Sequence, residues 1–553
     1  MQAVEEKQTP KQVRCLTKIA RCLRSPWFMI VCMVAISASM FFILMPSYPM
    51  QNWDEGIHSQ VTRELVETGD WWTLHYQGEF YFRKPPLKMW LTAPLVQLFG
   101  DKVWVYRFWS SFAGVASVAL LAYFVYRKEK DLLAAWLAGL IFVSGQFIFY
   151  HAFRTGETDA LLVFLLVVGF FAYWNARANH SWFLLMGASF GLAIMTKSLA
   201  GAIGPIVVVF DILLRRQWSV FRVRYLWYGV AVFFVVALPW HVSMISMYGK
   251  QFWDEYIGFH VVDRTLVQLY ADMPWHWYAT IFWQRLFPLS YFMIGGLLIP
   301  LWRFITRKKQ DISLAVLWLV VTLLLFTAVK TKFEWYILPA YPAAAWILAR
   351  YFSELIRLYT KPLFYGTFAL SLFLVFAKTP QAIPPGARVY WLSLQAYIPV
   401  AVQPLISNSY VWSAIFVLLL AILYYALRKR KKIYIPILFS LLILHSLAFA
   451  FGRDAHMIAT EQRSSEFQEI ARVIRLEGTE KVITYQTDFY DKPAGYFEVY
   501  ATTRDIQNIK HSSDELRIAL TGKTVVITSE DAPLDSMKFF AHIDQYYLYG
   551  SSD

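Results

Sequence analysis

The chain has 553 residues and a net charge of +14; 58% of its residues are hydrophobic, 18% aromatic and only 16% charged. A soluble chain carries roughly 25% charged residues, and the charged helix faces that a large soluble core needs are missing here, which excludes a soluble globular protein. The basic residues sit in short clusters between apolar runs, an arrangement that fits membrane orientation and not nucleic-acid binding.

From the N-terminus, a basic stretch with Lys11, Arg14, Lys18, Arg21 and Arg24 precedes an apolar run at 27–45. No small-residue cleavage site follows, so the run is predicted to stay as an anchor. Cys15, Cys22 and Cys32 all lie near it, without metal-ligand spacing. About 13 spans are predicted from apolar length. After the first they centre near 103–126, 132–150, 158–175, 182–196, 200–214, 225–246, 283–302, 311–329, 334–350, 362–377, 409–427 and 433–450.

With the N-terminus in the cytoplasm, "YRKEKD", "LLRRQWSVFRVR", "RFITRKKQ" and "LRKRKK" all fall inside, as the positive-inside rule asks. The outer segments are then 46–102, 247–282, 378–408 and the tail from 451. Some cations break the rule by falling outside: Arg83 and Lys84 in "FRKPPL", Lys197 in "MTKSLAG", and Lys330 and Lys332 in "VKTKFEWYILP". One such cation has a lipid headgroup or a nearby acid as its ordinary partner; several converging on one face predict a bound phosphate.

Two acid sites share that face. Asp54 and Glu55 stand in "NWDEGIH", ahead of a short helix over "EGIHSQVTRELVETG" that is expected at the membrane interface. They are either a helix cap or acids that position and deprotonate a nucleophile. Asp159, with Glu157 and Arg154 beside it in "RTGETDALL", lies at the outer lip of the fourth span. Its alternatives are a salt bridge to Arg154 or a share in the same substrate. The outer segment "GFHVVDRTL…DMPWHWYATIFWQRLFP" is either an interfacial aromatic belt or a lid, and its Arg285 is either a phosphate ligand or an interface anchor.

After Gly452 the composition changes. "SEFQEIARVIRLEG" predicts an amphipathic helix, "KVITYQT" and "KTVVITSED" buried strands, and "SDELRIAL" a second helix. The domains are therefore 1–450, helical and in the membrane, and 451–553, a small extracytoplasmic α/β domain without a Gly-rich phosphate loop.

The ordered set "NWDEG", "FRKPPLKMWL", "RTGETDALL", "MTKSLAG", "GFHVVDR" and "KTKFEWYILPAYPAAA" resembles the motifs of the membrane glycosyltransferases of the GT-C fold. The branch is that of bacterial aminoarabinose transferase and the protein O-mannosyltransferases, and the likeness covers roughly residues 27–350. The resemblance implies sugar transfer from a polyprenyl-phosphate carrier to an envelope acceptor (a lipid A-like glycolipid, a polysaccharide or a protein) at the outer face of the inner membrane. It implies Asp54 as principal catalytic acid, Asp159 as the second and Glu55 as support. Lys84, Lys197, Lys332, Tyr336 and Arg264 would surround the donor phosphate. His260 matches a histidine associated with a divalent metal ion; Arg83 stands where the pattern has Glu, with Glu79 four residues upstream. Ile57 and His58 replace an Arg-Tyr pair.

The chemistry suits these residue types. Breaking the sugar–phosphate bond develops negative charge that cations stabilise, and a single displacement inverts the anomeric centre. The rival classes are a transporter or flippase for an anionic lipid, which would place charge near the midplane and show internal repeats, and a non-catalytic scaffold.

Overall fold

The computed structural model describes residues 25–358, apart from short breaks, and most of 463–550. Of the expected span at 362–377 only Thr367, Leu370 and Ser371 are described; the spans at 409–427 and 433–450, the N-terminal basic stretch and most of the "SDELRIAL" helix lie outside the described residues.

Helix α1, Pro26–Phe42, is followed by α2, Asp54–Thr68, and a two-stranded hairpin of β1, His75–Tyr76, and β2, Glu79–Phe80. Then come α3, Leu87–Phe99; α4, Val103–Glu129; α5, Leu132–Val143; α6, Asp159–Asn175; α7, Trp182–Lys197; α8, Ile203–Leu214; and α9, Arg224–Phe252. Helix α9 runs straight into a wide π-helix, Trp253–Asp263. It is followed by α10, Trp277–Arg285; α11, Met293–Arg307; α12, Leu314–Ala328; and, after a 3-10 segment over Glu334–Ala340, α13, Tyr341–Leu358.

The expected spans from 27–45 to 334–350 each overlap one or more of these helices. Among the described residues, three helical stretches are long and apolar enough to cross a membrane: Val103–Glu129, Trp182–Leu214 and Arg224–Leu266. A bent pair, Trp277–Arg285 with Leu289–Arg303, passes the same test as a fourth, while α1, α5, α6 and α12 are shorter apolar helices. Two expectations change. Residues 334–340 form a 3-10 segment, so the helix begins only at Tyr341. "GFHVVD" is helical rather than loop, since it continues α9 past Gly249, whose φ of 51° bends the chain.

Helix α2, expected at the membrane interface, is buried within the protein from Glu55 to Leu65. A polar helix can be buried only if its side chains find partners. Here Gln60 donates to Glu64 at 2.7 Å, Thr62 donates to the His58 carbonyl at 2.7 Å, and Arg63 donates to Asp101 at 2.6 Å.

Helices α7 and α9 cross closely because both offer glycine there. A Cβ on Gly187 would lie 1.9 Å from the Gly229 carbonyl oxygen. In a membrane, small residues let helix backbones meet in this way. Gly187→Ala should therefore force α7 and α9 apart and destabilise the fold by roughly 1–3 kcal/mol, the usual range for overpacking. A thermal midpoint equal to wild type would show that the crossing relaxes without loss.

The C-terminal part of the chain contains α14, Arg463–Leu476; β3, Lys481–Tyr485; α15, Pro493–Tyr500; β4, Asp505–Ile509; β5, Thr524–Thr528; β6, Lys538–Ile543; and β7, Tyr546–Gly550. Its sheet has the order β4-β3-β5-β7-β6. Strand β3 pairs in parallel with β4 (Val482 opposite Ile506) and with β5 (Val482 opposite Val525). Strand β7 pairs antiparallel with β5 and β6. The central strands are buried, as the expected "KVITYQT" and "KTVVITSED" runs require. Helix α14 covers one face through Phe467, Ile470 and Ile474. This part meets the helical body through α15, which packs on α2: the Arg63 guanidinium lies 3.6 Å from the Phe497 ring centre and donates to the Phe497 carbonyl at 2.8 Å.

Candidate active site

Asp54 is the first residue of α2. The residue at the capping position is Trp53, with a φ of 67° and no side-chain capping bond. Asp54 therefore does not cap the helix. Its side chain is 32% exposed, and Oδ2 lies 3.7 Å from Lys84 Nζ, itself 12% exposed. Lys84 sits just before Pro85-Pro86, where Pro86 leads into α3. Burial lowers the pKa of Lys84, and the Asp54 carboxylate opposes that shift.

Asp159 opens α6 and Lys197 closes α7. The two meet in a bidentate contact, Nζ to each carboxylate oxygen at 2.6 Å. Asp159 thus has a cation from another helix, Lys197. Lys197 lies at the point where the helix breaks into a 3-10 turn, Ser198–Ala202, and its Nζ stands 5.4 Å from the Tyr336 ring centre. Arg264 donates to the Tyr336 hydroxyl at 3.4 Å.

These groups share one cavity of about 300 Å³. Arg83, Lys84, Asp159, Lys197, His260, Arg264 and Tyr336 supply its polar lining, while Leu162, Ile203, Ile206, Leu325 and Phe326 make an apolar wall. A charged end joined to an apolar flank suits an anionic head on a hydrocarbon tail. The structure therefore brings together Lys84, Lys197, Tyr336 and Arg264 as expected. Lys332 is half-buried and does not line this cavity. Arg285 pairs with Glu334, outside the cavity lining.

The two expected metal ligands are not brought into one ligand cluster. Glu79 is exposed on the β1–β2 hairpin. His260 shares the cavity lining with Arg83, Lys84 and Arg264, cations that favour an anion over a metal ion. Among the described residues, no group of three or more His, Cys, Asp or Glu is placed to hold a metal.

Glu55 is fully buried. Arg107 donates Nε to Oε1 at 2.6 Å and Nη2 to Oε2 at 2.8 Å, and the Gln51 and Gly156 N–H groups donate at 2.7 and 2.6 Å. Burial alone would raise the Glu55 pKa, but the Arg107 charge and these donors hold it below the ordinary 4.5. Glu55 is thus an ionised structural anchor at the start of α2, next to Asp54. Arg107 was not singled out in the sequence, although an arginine early in an apolar run is a detectable signal.

One turn beyond Asp54, His58 lies 3.9 Å from Glu157, and both are buried. Burial lowers the His58 pKa to about 3, partly opposed by Asp54 and reinforced by Lys88 and Lys84. Burial also raises Glu157 well above the usual carboxylate range, and the charges of Asp54, Asp159 and Glu55 add to this. Both shifts favour the uncharged form, imidazole on one side and carboxylic acid on the other.

A family model described as dolichyl-phosphate-mannose-protein mannosyltransferase matches residues 58–253. Among curated relatives, the undecaprenyl phosphate-alpha-4-amino-4-deoxy-L-arabinose arabinosyl transferase of Aeromonas hydrophila is 27% identical over 333 residues, 58% of this chain and 59% of that protein. An uncharacterized protein of Aquifex aeolicus is 26% identical over 340 residues, covering 59% of this chain and 66% of the relative. These alignments thus span less than two thirds of each relative's length. In fold, the crystal structure of ArnT from Cupriavidus metallidurans bound to undecaprenyl phosphate matches with a TM-score of 0.69 at 19% identity, covering 94% of this chain and 97% of that one. In both sequence and fold the chain resembles the GT-C glycosyltransferases of the aminoarabinose transferase and protein O-mannosyltransferase group.

Proposed function

We propose that this protein is an integral inner-membrane glycosyltransferase that moves a sugar from a polyprenyl-phosphate donor to a cell-envelope acceptor at the outer face. The observation that carries this reading is the cavity itself, a cluster of cations beside an apolar wall, with Asp54 bound to one of those cations at its edge. The N-terminus is on the cytoplasmic side and the C-terminal domain on the outer side. The acceptor is a lipid A-like glycolipid, a polysaccharide or a protein, and the sugar is a hexose or a pentose.

The donor phosphate takes the polar end of the cavity, where Lys84, Lys197, Arg264 and the Tyr336 hydroxyl reach it, and the polyprenyl chain lies along Leu162, Ile203, Ile206, Leu325 and Phe326. Asp54 faces the anomeric carbon from the other side. It orients the acceptor and, for a hydroxyl, takes its proton as the new bond forms. As the old bond breaks, the cations stabilise the charge gathering on the phosphate. One in-line displacement inverts the configuration. Asp159 acts on the reaction by fixing Lys197, and Glu55 by fixing the start of α2. No step is assigned to a metal ion.

The test is incubation of the detergent-solubilised full chain with undecaprenyl-phosphate sugars, following transfer or hydrolysis of the sugar. Lys84→Ala and Lys197→Ala should each weaken donor binding by about tenfold or more, the size of one lost charge-assisted hydrogen bond. Lys332→Ala should change it less, because Lys332 stands off the cavity lining. A wild-type protein that neither transfers nor hydrolyses any such sugar would overturn the proposal.

A further inference from the structure

Arg83 is the cation at the cavity that the donor site described above does not use. It lines the same cavity, and its Nε contacts Glu255 Oε1 at 3.4 Å. Glu255 lies on the π-helix, in the stretch that also carries His260. Resting on the reading of the cavity as the donor site, we propose that Arg83 is a further catalytic residue, one that leaves Glu255 to bind the second negative charge on the departing polyprenyl phosphate.

In the donor the phosphate is a diester with one negative charge. When the sugar leaves, the bond from the anomeric carbon to the phosphate oxygen breaks and its electron pair stays on that oxygen. A bond from the acceptor oxygen to the same carbon forms, and a hydroxyl acceptor's proton passes to Asp54. The leaving group is then a phosphate monoester, with a charge of about −1.5 to −2 near pH 7. The site must match one charge at the start and nearly two at the end.

The resting cavity is matched to the first state. Lys84 is paired with Asp54, and Lys197 with Asp159. Arg264 meets the Tyr336 hydroxyl and the Phe259 ring, and no carboxylate among the described residues. The second charge needs a cation released from its partner. Releasing Lys197 would strand the buried Asp159, a heavy penalty in a dry site. Lys84 is freed only while Asp54 holds the acceptor's proton; once Asp54 is ionised again, as it is when the free enzyme meets the phosphate lipid, Lys84 stays with it. Arg83 and Glu255 differ from both pairs: their side chains are 49% and 33% exposed. An exposed pair of this kind is worth little, and water takes up the carboxylate when the arginine leaves. A guanidinium also presents two parallel donors, which fit two phosphate oxygens where an ammonium would act as a point charge.

The test compares two lipids that differ by one charge, undecaprenyl phosphate and its methyl diester, binding to the detergent-solubilised full chain. Wild type should prefer the monoester. Arg83→Gln should weaken monoester binding by about tenfold, one charge-assisted hydrogen bond, and leave the diester nearly unchanged. Glu255→Gln, which releases Arg83 in advance, should strengthen monoester binding. The proposal is overturned if Arg83→Gln weakens both lipids alike or neither, or if Glu255→Gln weakens the monoester. A wild type that binds neither lipid sinks the reading of the cavity as a donor site; a wild type that binds both equally sinks the role of Arg83 alone.

Discussion

Asp54→Asn should lower sugar transfer by about 100- to 10,000-fold, the usual loss for a removed general base, while the protein stays folded and binds its donor at least as well as wild type. Each part of this follows from the surroundings of Asp54. Trp53 holds the capping position and Asp54 stands inside the helix, so its contribution to α2 is that of an acid in the first turn, worth roughly 0.3–1 kcal/mol. Its pairing with Lys84 at 3.7 Å is partly exposed and adds little stability. Asparagine keeps the size and loses the charge. With that charge gone, Lys84 turns wholly to the donor phosphate, so donor affinity should hold or rise as turnover collapses. This pattern, a fall in kcat without a rise in KM, marks an interaction made in the transition state. The measurement is turnover at saturating donor, with donor affinity and thermal midpoint on the same preparation. Near-normal turnover would leave Asp54 as a partner for Lys84 and nothing more.

What the sequence made legible was the set of charged residues that gather at the cavity. Asp54, Lys84, Asp159 and Lys197 stand out in it because ionisable residues at the edge of apolar runs are costly unless used. The structure brings these four together as two ion pairs at one cavity. The partner assignments were not legible. Arg154, five residues from Asp159, is the cation that the sequence offers, while Lys197 comes from another helix and meets Asp159 only through the packing of α6 on α7. Helix α2 shows the same limit. Its polar composition reads as a surface helix, because burial of Gln60, Arg63 and Glu64 depends on donors and acceptors far away in the chain. Asp101 and the Phe497 carbonyl meet Arg63, and the Gln77 and Gly78 N–H groups donate to Glu64. The "GFHVVD" stretch was misplaced for a different reason: nothing in its apolar period separates a π-helix that continues α9 from a structured outer loop.

The pair beneath Asp54 should be the more fragile part of the site. Arg107→Met leaves the Glu55 carboxylate in a fully buried place without its counter-charge, and it should destabilise the protein by roughly 3–5 kcal/mol, the range for breaking a buried ion pair. Glu55→Gln leaves Arg107 stranded in turn and should also destabilise, so Glu55 is sensitive through folding where Asp54 is sensitive through turnover. The double variant Glu55→Gln with Arg107→Met removes both charges and should recover much of the loss. Recovery stays partial because the Glu55 carboxylate also accepts the Gln51 and Gly156 N–H groups, one on each oxygen, and the glutamine amide keeps only one acceptor. The sign of the pH dependence follows from the same contacts. Glu55 is held below its ordinary 4.5, so its stabilising effect is complete above about that pH and fades as the pH falls further. Arg107→Met should weaken that acid-side loss along with the overall stability. Thermal unfolding of the detergent-solubilised variants across pH reads all of this, with transfer per folded molecule as the second readout. If Arg107→Met unfolds at the wild-type temperature, or the double variant is no more stable than either single one, Glu55 is not the anchor of α2.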